Sequence, residues 1–111
     1  MPARRRHLEA KVRHESGIAI VDLHGEINAF AEDALNGAYS EAEGHGPEAI
    51  LLNFGGVDYI NSTGIALIVS LLARARASHH RLLACCLSDH YVEIFQITRL
   101  VDFMSVFPDE A

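Results

Sequence analysis

Basic residues are scarce in this sequence. Its 111 residues include 9 Lys and Arg against 15 Asp and Glu, which gives a formal net charge of -6 at neutral pH. Proteins that bind nucleic acids hold the phosphate backbone with clustered Lys and Arg. The one local cluster is Arg4-Arg5-Arg6, and three basic residues near a terminus are typical of a solvated tail. The composition therefore predicts a protein without a nucleic-acid partner.

Long apolar runs are also missing. A helix that spans a membrane needs about 18 or more consecutive apolar residues, and no segment approaches that length. The N-terminal residues do not form the apolar segment of a signal peptide. We therefore expect a cytoplasmic protein without a membrane span.

Cysteine is rare, and the two cysteines are adjacent. Cys85 and Cys86 lie inside an apolar run from Leu82 to Leu87, which suits a buried strand better than a disulfide pair or a metal site. We interpret both as reduced core thiols. The seven histidines are scattered and do not combine with carboxylates at the spacing of metal ligands, so surface histidines are predicted and no metal site.

Strand-like and helix-like segments alternate along the chain. Predicted strands cover residues 8–14, 18–23, 49–54, 81–87 and 103–107, and predicted helices cover 29–43, 62–78 and a stretch from Ser88 or Asp89 to about 98. The order β-β-α-β-α-β-α-β indicates an α/β fold with a mixed, mostly parallel sheet of four to five strands and one antiparallel edge. One domain is expected over residues 1–111, with its core at about 8–107.

Two of the predicted helices carry an apolar stripe. The first stripe comprises Phe30, Ala34, Leu35, Ala38 and Ala42, and the second includes Ile65, Ile68 and Leu72. Residues at this spacing lie on one helical face, so both stripes are predicted to pack into the core.

Two adjacent hydroxyls stand between a predicted strand and the second helix, in Asn61-Ser62-Thr63-Gly64. Ser and Thr are common N-caps, so capping by Ser62 or Thr63 is one interpretation. A helix N-terminus also offers unpaired N–H groups and the positive end of a dipole, which together accommodate a phosphate. The local sequence alone is compatible with both.

Four segments in order resemble the STAS domains, and in particular the small bacterial anti-sigma-factor antagonists. They are residues 21–28, the strand and loop at 50–60, the signature Asn61-Ser62-Thr63-Gly64-Ile65, and residues 94–100. The third segment is similar to the family's Asp-Ser-Ser/Thr-Gly-Leu signature. The resemblance extends from Ile18 to about Phe107 and implies a STAS-like fold.

The resemblance implies a regulatory binding protein and not an enzyme. Such antagonists bind a serine-kinase anti-sigma factor, are released when the kinase phosphorylates the signature serine, and are restored by a PP2C-type serine phosphatase. The acceptor matched here is Ser62, with Thr63 as the second choice. Neither a Gly-x-Ser-x-Gly elbow nor a phosphate-binding Gly-x-x-x-x-Gly-Lys-Ser/Thr loop is present, so catalysis and a bound cofactor are not expected.

A partner-binding surface is expected around the signature, formed by Asn28, Asn61, Ser62, Thr63, Gly64 and Ala66. The family usually has aspartates where this chain has Asn28 and Asn61. Either the neutral site serves a kinase with different charge preferences, or Asn supplies the same hydrogen bonds. Arg99 also stands where the family often has glycine. A different class of function remains open, namely a scaffold or a subunit of a signalling or lipid-transport complex without a sigma-factor target.

Overall fold

The computed structural model describes residues 7–110. The predicted tail at Arg4-Arg5-Arg6 lies outside the described residues. The elements are β1 Glu9–Glu15, β2 Ile18–Ile27, α1 Glu32–Glu43, β3 Ala49–Ile60, α2 Ser62–Ala77, β4 Arg81–Cys85, α3 Asp89–Ile97 and β5 Ser105–Phe107, with short 3-10 turns at Ala29–Ala31 and Leu100–Asp102. The predicted order of strands and helices is confirmed.

The five strands form one sheet in the order β1-β2-β3-β4-β5. β1 and β2 are antiparallel, and the other neighbouring pairs are parallel. The tight turn between β1 and β2 has positive φ angles at Ser16 and Gly17, which glycine adopts readily. The predicted mixed sheet with one antiparallel edge is therefore confirmed.

All three helices contribute to the core on one face of the sheet. The buried residues of α2 on this face include Ile68, Leu71, Leu72 and Ala75, and Phe95 of α3 packs edge to face on Phe54 of β3 with ring centroids 5.9 Å apart. Ile68 and Leu72 of the predicted stripe are thus in the core, and Ile65 is partly buried against it. Phe30 departs from the first stripe, because it lies in the 3-10 turn before α1 and is 71% exposed.

The opposite face of the sheet carries a smaller apolar cluster, built around Ile20, Leu51 and Cys85. A C-terminal tail, residues 108–110, crosses this face. Glu110 follows β5 at one edge of the sheet and forms an ion pair with Arg13 of β1 at the other edge. Arg13 also contacts Asp22 of β2, with 2.6 Å between its Nε and the Asp22 Oδ2, and this ion pair lowers the pKa of Asp22.

Several strand boundaries differ from the prediction. β2 continues to Ile27 and β3 to Ile60, since the two strands stay paired through register shifts after Asp22 and after Gly25. Polar residues and glycines at these positions favoured a prediction of turns. In the structure β-bulges accommodate these residues, so the hydrogen-bonded pairing of the two strands continues past them. The Gly56 backbone leaves room for the His24 ring, since an added Cβ at Gly56 would lie 2.1 Å from the ring Nδ1.

The last two strands are shorter than predicted. β4 ends at Cys85 because Cys86 adopts a left-handed conformation with φ 68°, and β5 begins only at Ser105. Arg99, where the family resemblance leads one to expect glycine, also has a left-handed φ of 65°. Within residues 7–110 no helix is long and apolar enough to cross a lipid bilayer.

Candidate functional site

The signature lies at the carboxyl edge of two neighbouring parallel strands. Ile27 at the end of β2 pairs with Ile60 at the end of β3, and each is followed directly by an asparagine. Asn28 and Asn61 therefore leave the sheet side by side and begin the 3-10 turn and α2. This edge is where parallel α/β sheets commonly place their binding sites.

Asn61, and not Ser62 or Thr63, caps α2. Its Oδ1 accepts a hydrogen bond from the Gly64 N–H at 2.8 Å, and its own N–H donates to the Ile27 carbonyl at 3.2 Å. The interpretation that Ser62 or Thr63 caps the helix is wrong, because Asn61, one residue earlier, has an extended backbone and already occupies the N-cap position. Ser62 and Thr63 become the first two residues of the helix, and both are exposed.

Asn28 plays the equivalent part at the end of β2. Its Oδ1 accepts a hydrogen bond from the Phe30 N–H at 2.9 Å, and its Nδ2 lies 3.3 Å from the Glu26 Oε1. The side chain is buried, with a relative exposure of 7%. It was predicted as part of a partner-binding surface, but the structure gives it an internal role in holding the loop. An amide can supply both of its contacts, which favours the interpretation that Asn retains the hydrogen bonding expected at this position.

Gly64 is buried where α2 meets the end of β2. A Cβ placed there would lie 2.1 Å from the Ile27 carbonyl oxygen, so a larger residue would push the helix away from the strand. Glycine is thus required here by a close approach of two backbones. Gly64 is buried beneath the start of the helix, whereas its neighbours Ser62, Thr63 and Ala66 are exposed.

Tyr91 is a positioning residue that the sequence reasoning missed. It is buried in the first turn of α3, and its hydroxyl accepts a hydrogen bond from the Ile60 N–H at 2.8 Å. α3 is thereby fixed to the strand end immediately before Asn61. Of the two predicted starts of this helix, Ser88 and Asp89, it is Ser88 that forms the N-cap, and its Oγ accepts a hydrogen bond from the Tyr91 N–H at 3.4 Å. A local sequence motif cannot predict the contact between Tyr91 and Ile60, because the two residues are 31 positions apart in the chain.

An open groove of about 440 Å³ runs beside the signature, between α2 and α3. Tyr59, Ile65 and Ile94 give it apolar walls, and Ser62 lies on its edge. Tyr59 is 52% exposed. The groove can therefore receive an apolar side chain from another molecule close to the Ser62 hydroxyl.

The exposed face of α2 carries no charge over its first three turns. It consists of Ser62, Thr63, Ala66, Val69, Ser70 and Ala73. Exposed helix faces are usually rich in charged residues, and Val69 is 45% exposed here. No acidic residue lies in the first turn, so the positive end of the helix dipole is not offset by a carboxylate within that turn.

The described residues at this edge do not form a metal site. Among residues 7–110 no group of three or more His, Cys, Asp or Glu side chains is arranged to hold a metal ion. What the geometry offers is an exposed pair of hydroxyls, an uncharged helix face and a groove. This combination suits binding and covalent modification of a hydroxyl.

Comparison with known proteins gives consistent results. The family profile of the STAS domain matches residues 9–111. A Bordetella bronchiseptica protein provisionally named as an anti-sigma factor antagonist, BtrV, is 28% identical over 92 residues, which cover 83% of this chain and 77% of that protein. The anti-sigma-B factor antagonist of Staphylococcus aureus is 29% identical over 86 residues, covering 78% and 80% of the two chains.

A solved structure with a similar fold is that of SpoIIAA from Bacillus, determined in its phosphorylated form. It superposes with a TM-score of 0.67 over 91% of this chain and 93% of that chain, at 20% sequence identity. The same protein in its unphosphorylated form gives a TM-score of 0.67 at 19% identity. These similarities show that the fold is shared.

Proposed function

Because this chain belongs to the STAS domain family, we propose that it is an anti-sigma-factor antagonist switched by phosphorylation. In the unphosphorylated state it binds a serine-kinase anti-sigma factor, and it is released when that kinase phosphorylates Ser62. A PP2C-type serine phosphatase removes the phosphate and restores binding. The chain acts in this scheme as a binding partner and a kinase substrate, and it needs no cofactor.

The names of the relatives support the regulatory class, since both compared sequences are named as anti-sigma factor antagonists. SpoIIAA supports the switch, because a protein with this fold has been determined both with and without its phosphate. A phosphate can therefore be added to such a domain while its fold is kept.

The observation that carries the proposal is the availability of the Ser62 hydroxyl. Asn61 already caps α2 through its amide oxygen, so the serine side chain is not needed to hold the helix. Ser62 is exposed at the first helical position and lies on the edge of the groove, whereas Thr63 is exposed but is not among the groove residues. A kinase seated in the groove would meet Ser62 first, which favours it over Thr63 as the acceptor.

A phosphate at Ser62 would be tolerated by the domain and rejected by a bound partner. It adds about -1.5 to -2 charges at neutral pH, and the first turn of α2 holds no carboxylate that would repel it. The helix dipole and the N–H groups of that turn can solvate the new charge. A partner packed on the uncharged face of α2 would instead have to desolvate it, and a cost of about 3 kcal/mol corresponds to a loss of roughly two orders of magnitude in affinity.

The modification is tested by intact-mass and peptide mass spectrometry on protein recovered from its own cells. We expect one phosphate that persists in Thr63→Ala and is lost in Ser62→Ala. Ser70→Ala is a matched control, because Ser70 lies on the same exposed helix face two turns later and donates a hydrogen bond to the Ala66 carbonyl. Loss only in Thr63→Ala would move the acceptor by one residue, and a protein without phosphate under all growth conditions would refute the switch.

The binding half of the proposal is tested by affinity isolation from the same cells with wild type, Ser62→Ala and Ser62→Asp. Wild type and Ser62→Ala are expected to retain a protein with a serine-kinase domain, and Ser62→Asp is expected to lose it. Isolation of a membrane transporter subunit with all three variants, or assembly into a large particle, would support the alternative scaffold function.

A further inference from the structure

The two cysteines at the end of β4 have their side chains on the same side of the sheet. Neighbouring residues of a strand normally point to opposite faces. Here Cys86 leaves the strand with a left-handed φ of 68°, which turns its side chain back toward that of Cys85. Both side chains join the apolar cluster on the face crossed by the C-terminal tail, and their Sγ atoms are 2.8 Å apart.

This backbone conformation is unfavourable for a cysteine and is held by its surroundings. A left-handed φ at a residue other than glycine costs on the order of 1 kcal/mol. The Cys86 N–H donates a hydrogen bond to the Phe107 carbonyl at 3.2 Å, which fixes the residue to β5. On the other side the residue packs near Gly55 of β3, where a Cβ would lie 3.5 Å from the Cys86 Cβ, which is ordinary van der Waals contact. The hydrogen bond to β5 thus holds Cys86 in the conformation that brings the two thiols together.

We propose that Cys85 and Cys86 form a redox-modification site, at which a hydroperoxide converts the two neighbouring thiols into one intrachain disulfide. This inference is independent of the phosphorylation switch, because it uses neither Ser62 nor the groove. It also goes beyond the interpretation of both cysteines as reduced core thiols.

The accessibility of the two thiols sets the order of the reaction. Cys86 is partly exposed, whereas Cys85 is buried and burial raises its pKa to about 12. The Cys86 thiolate therefore attacks the peroxide, the O–O bond breaks, and Cys86 becomes a sulfenic acid while the departing oxygen is protonated to water. The Cys85 sulfur then attacks the Cys86 sulfur, and the S–O bond breaks as the oxygen leaves with the Cys85 proton as water. Two thiols lose two electrons in total, and one hydrogen peroxide is reduced to two waters.

The resulting disulfide is expected to be easy to reduce. Adjacent Cα atoms lie about 3.8 Å apart, whereas the Cα atoms of ordinary disulfides are about 4.4–6.8 Å apart. A disulfide in such a small ring is strained, and strained disulfides are reduced more readily than structural ones. The pair would consequently act as a reversible site and not as a staple of the fold.

The test uses the full chain, reduced, desalted and treated with equimolar hydrogen peroxide. The protein is then denatured in the presence of N-ethylmaleimide, which labels every free thiol. Intact mass should show a monomer that is two hydrogens lighter than the reduced chain and carries no maleimide. The chain has only 2 cysteines, so a disulfide within one monomer can only join this pair. Glutathione added before the maleimide is expected to restore two labels.

Single substitutions separate this site from ordinary thiol oxidation. Cys85→Ser should stop at the sulfenic acid of Cys86, which dimedone traps, and Cys86→Ser should keep its buried thiol and take one maleimide. Circular dichroism should show that both variants are folded. The proposal is overturned if the wild type keeps two labels under conditions that modify Cys85→Ser. It is equally overturned if the wild type is oxidised only to sulfinic acid or to disulfide-linked dimers.

Discussion

Gly64 fixes the distance between α2 and the end of β2, and its replacement by alanine tests the geometry of the whole site. The added Cβ would lie 2.1 Å from the Ile27 carbonyl oxygen, where 3.4 Å is ordinary contact, so the start of the helix must move by about 1.3 Å. That carbonyl also accepts the Asn61 N–H. The shift would strain the hydrogen bond that anchors the N-cap.

The expected change in the free energy of unfolding of Gly64→Ala follows from two opposing effects. Alanine gains about 1 kcal/mol over glycine inside a helix, but overpacking against a rigid backbone costs about 1–3 kcal/mol or more, and the strained anchor adds about 1 kcal/mol. We expect Gly64→Ala to lower the free energy of unfolding by about 2 kcal/mol, which is roughly 8 °C in Tm for a domain of this size. Urea unfolding, monitored by circular dichroism, measures this change in the free energy of unfolding.

Gly37→Ala is the matched control. Gly37 lies exposed within α1, and a Cβ there would meet nothing within 4 Å. The same substitution should therefore stabilise the protein by about 0.5–1 kcal/mol. If Gly64→Ala were as stable as wild type, or shifted stability in the same direction as Gly37→Ala, the close approach of α2 to β2 would be refuted.

Four further substitutions test individual contacts. At pH 7, Asn61→Asp should keep the helix cap, and the helix dipole should raise its free energy of unfolding by up to about 0.5 kcal/mol. Asn28→Asp should lower the free energy of unfolding by about 1–3 kcal/mol, because it places a buried carboxylate against Glu26. Equal urea midpoints for the two variants would contradict this difference. Tyr91→Phe removes a buried acceptor from the last N–H of β3 and should cost about 1–2 kcal/mol in urea unfolding, so an unchanged midpoint would argue against the anchor. Asp22 has a lowered pKa in the folded state, so its ion pair stabilises the protein above about pH 4 and this contribution is lost as the pH falls through the folded pKa. Asp22→Asn should therefore be less stable near neutral pH and lose less stability in acid, and parallel stability curves for wild type and variant would exclude the effect.

The fold could be predicted because its elements are encoded locally. The apolar stretch 49–54 and the stripe with Ile68 and Leu72 have the periods of a strand and a helix, and both form where expected. What the sequence did not indicate was how far β2 and β3 continue. Their extensions depend on pairing across a bulge, which is a contact between distant segments.

The site could be predicted as a region but not as a set of roles. Spacing located the signature at a helix start, yet it could not decide which of three consecutive polar residues accepts the cap hydrogen bond. That choice depends on the extended backbone of Asn61, which the end of β2 imposes. The burial of Asn28 and Gly64 is likewise a consequence of how two strand ends meet.

The ion pair between Glu110 and Arg13 also bears on how the domain folds. It joins residues 97 positions apart and connects the two edges of the sheet, so it can form only after all five strands have taken their places. Contacts of such large sequence separation tend to form late, and their loss acts on the unfolding rate more than on the folding rate. In stopped-flow experiments Glu110→Gln should therefore unfold faster than wild type and refold at the wild-type rate. The tail would then stabilise the domain kinetically, by slowing the unfolding of the completed sheet.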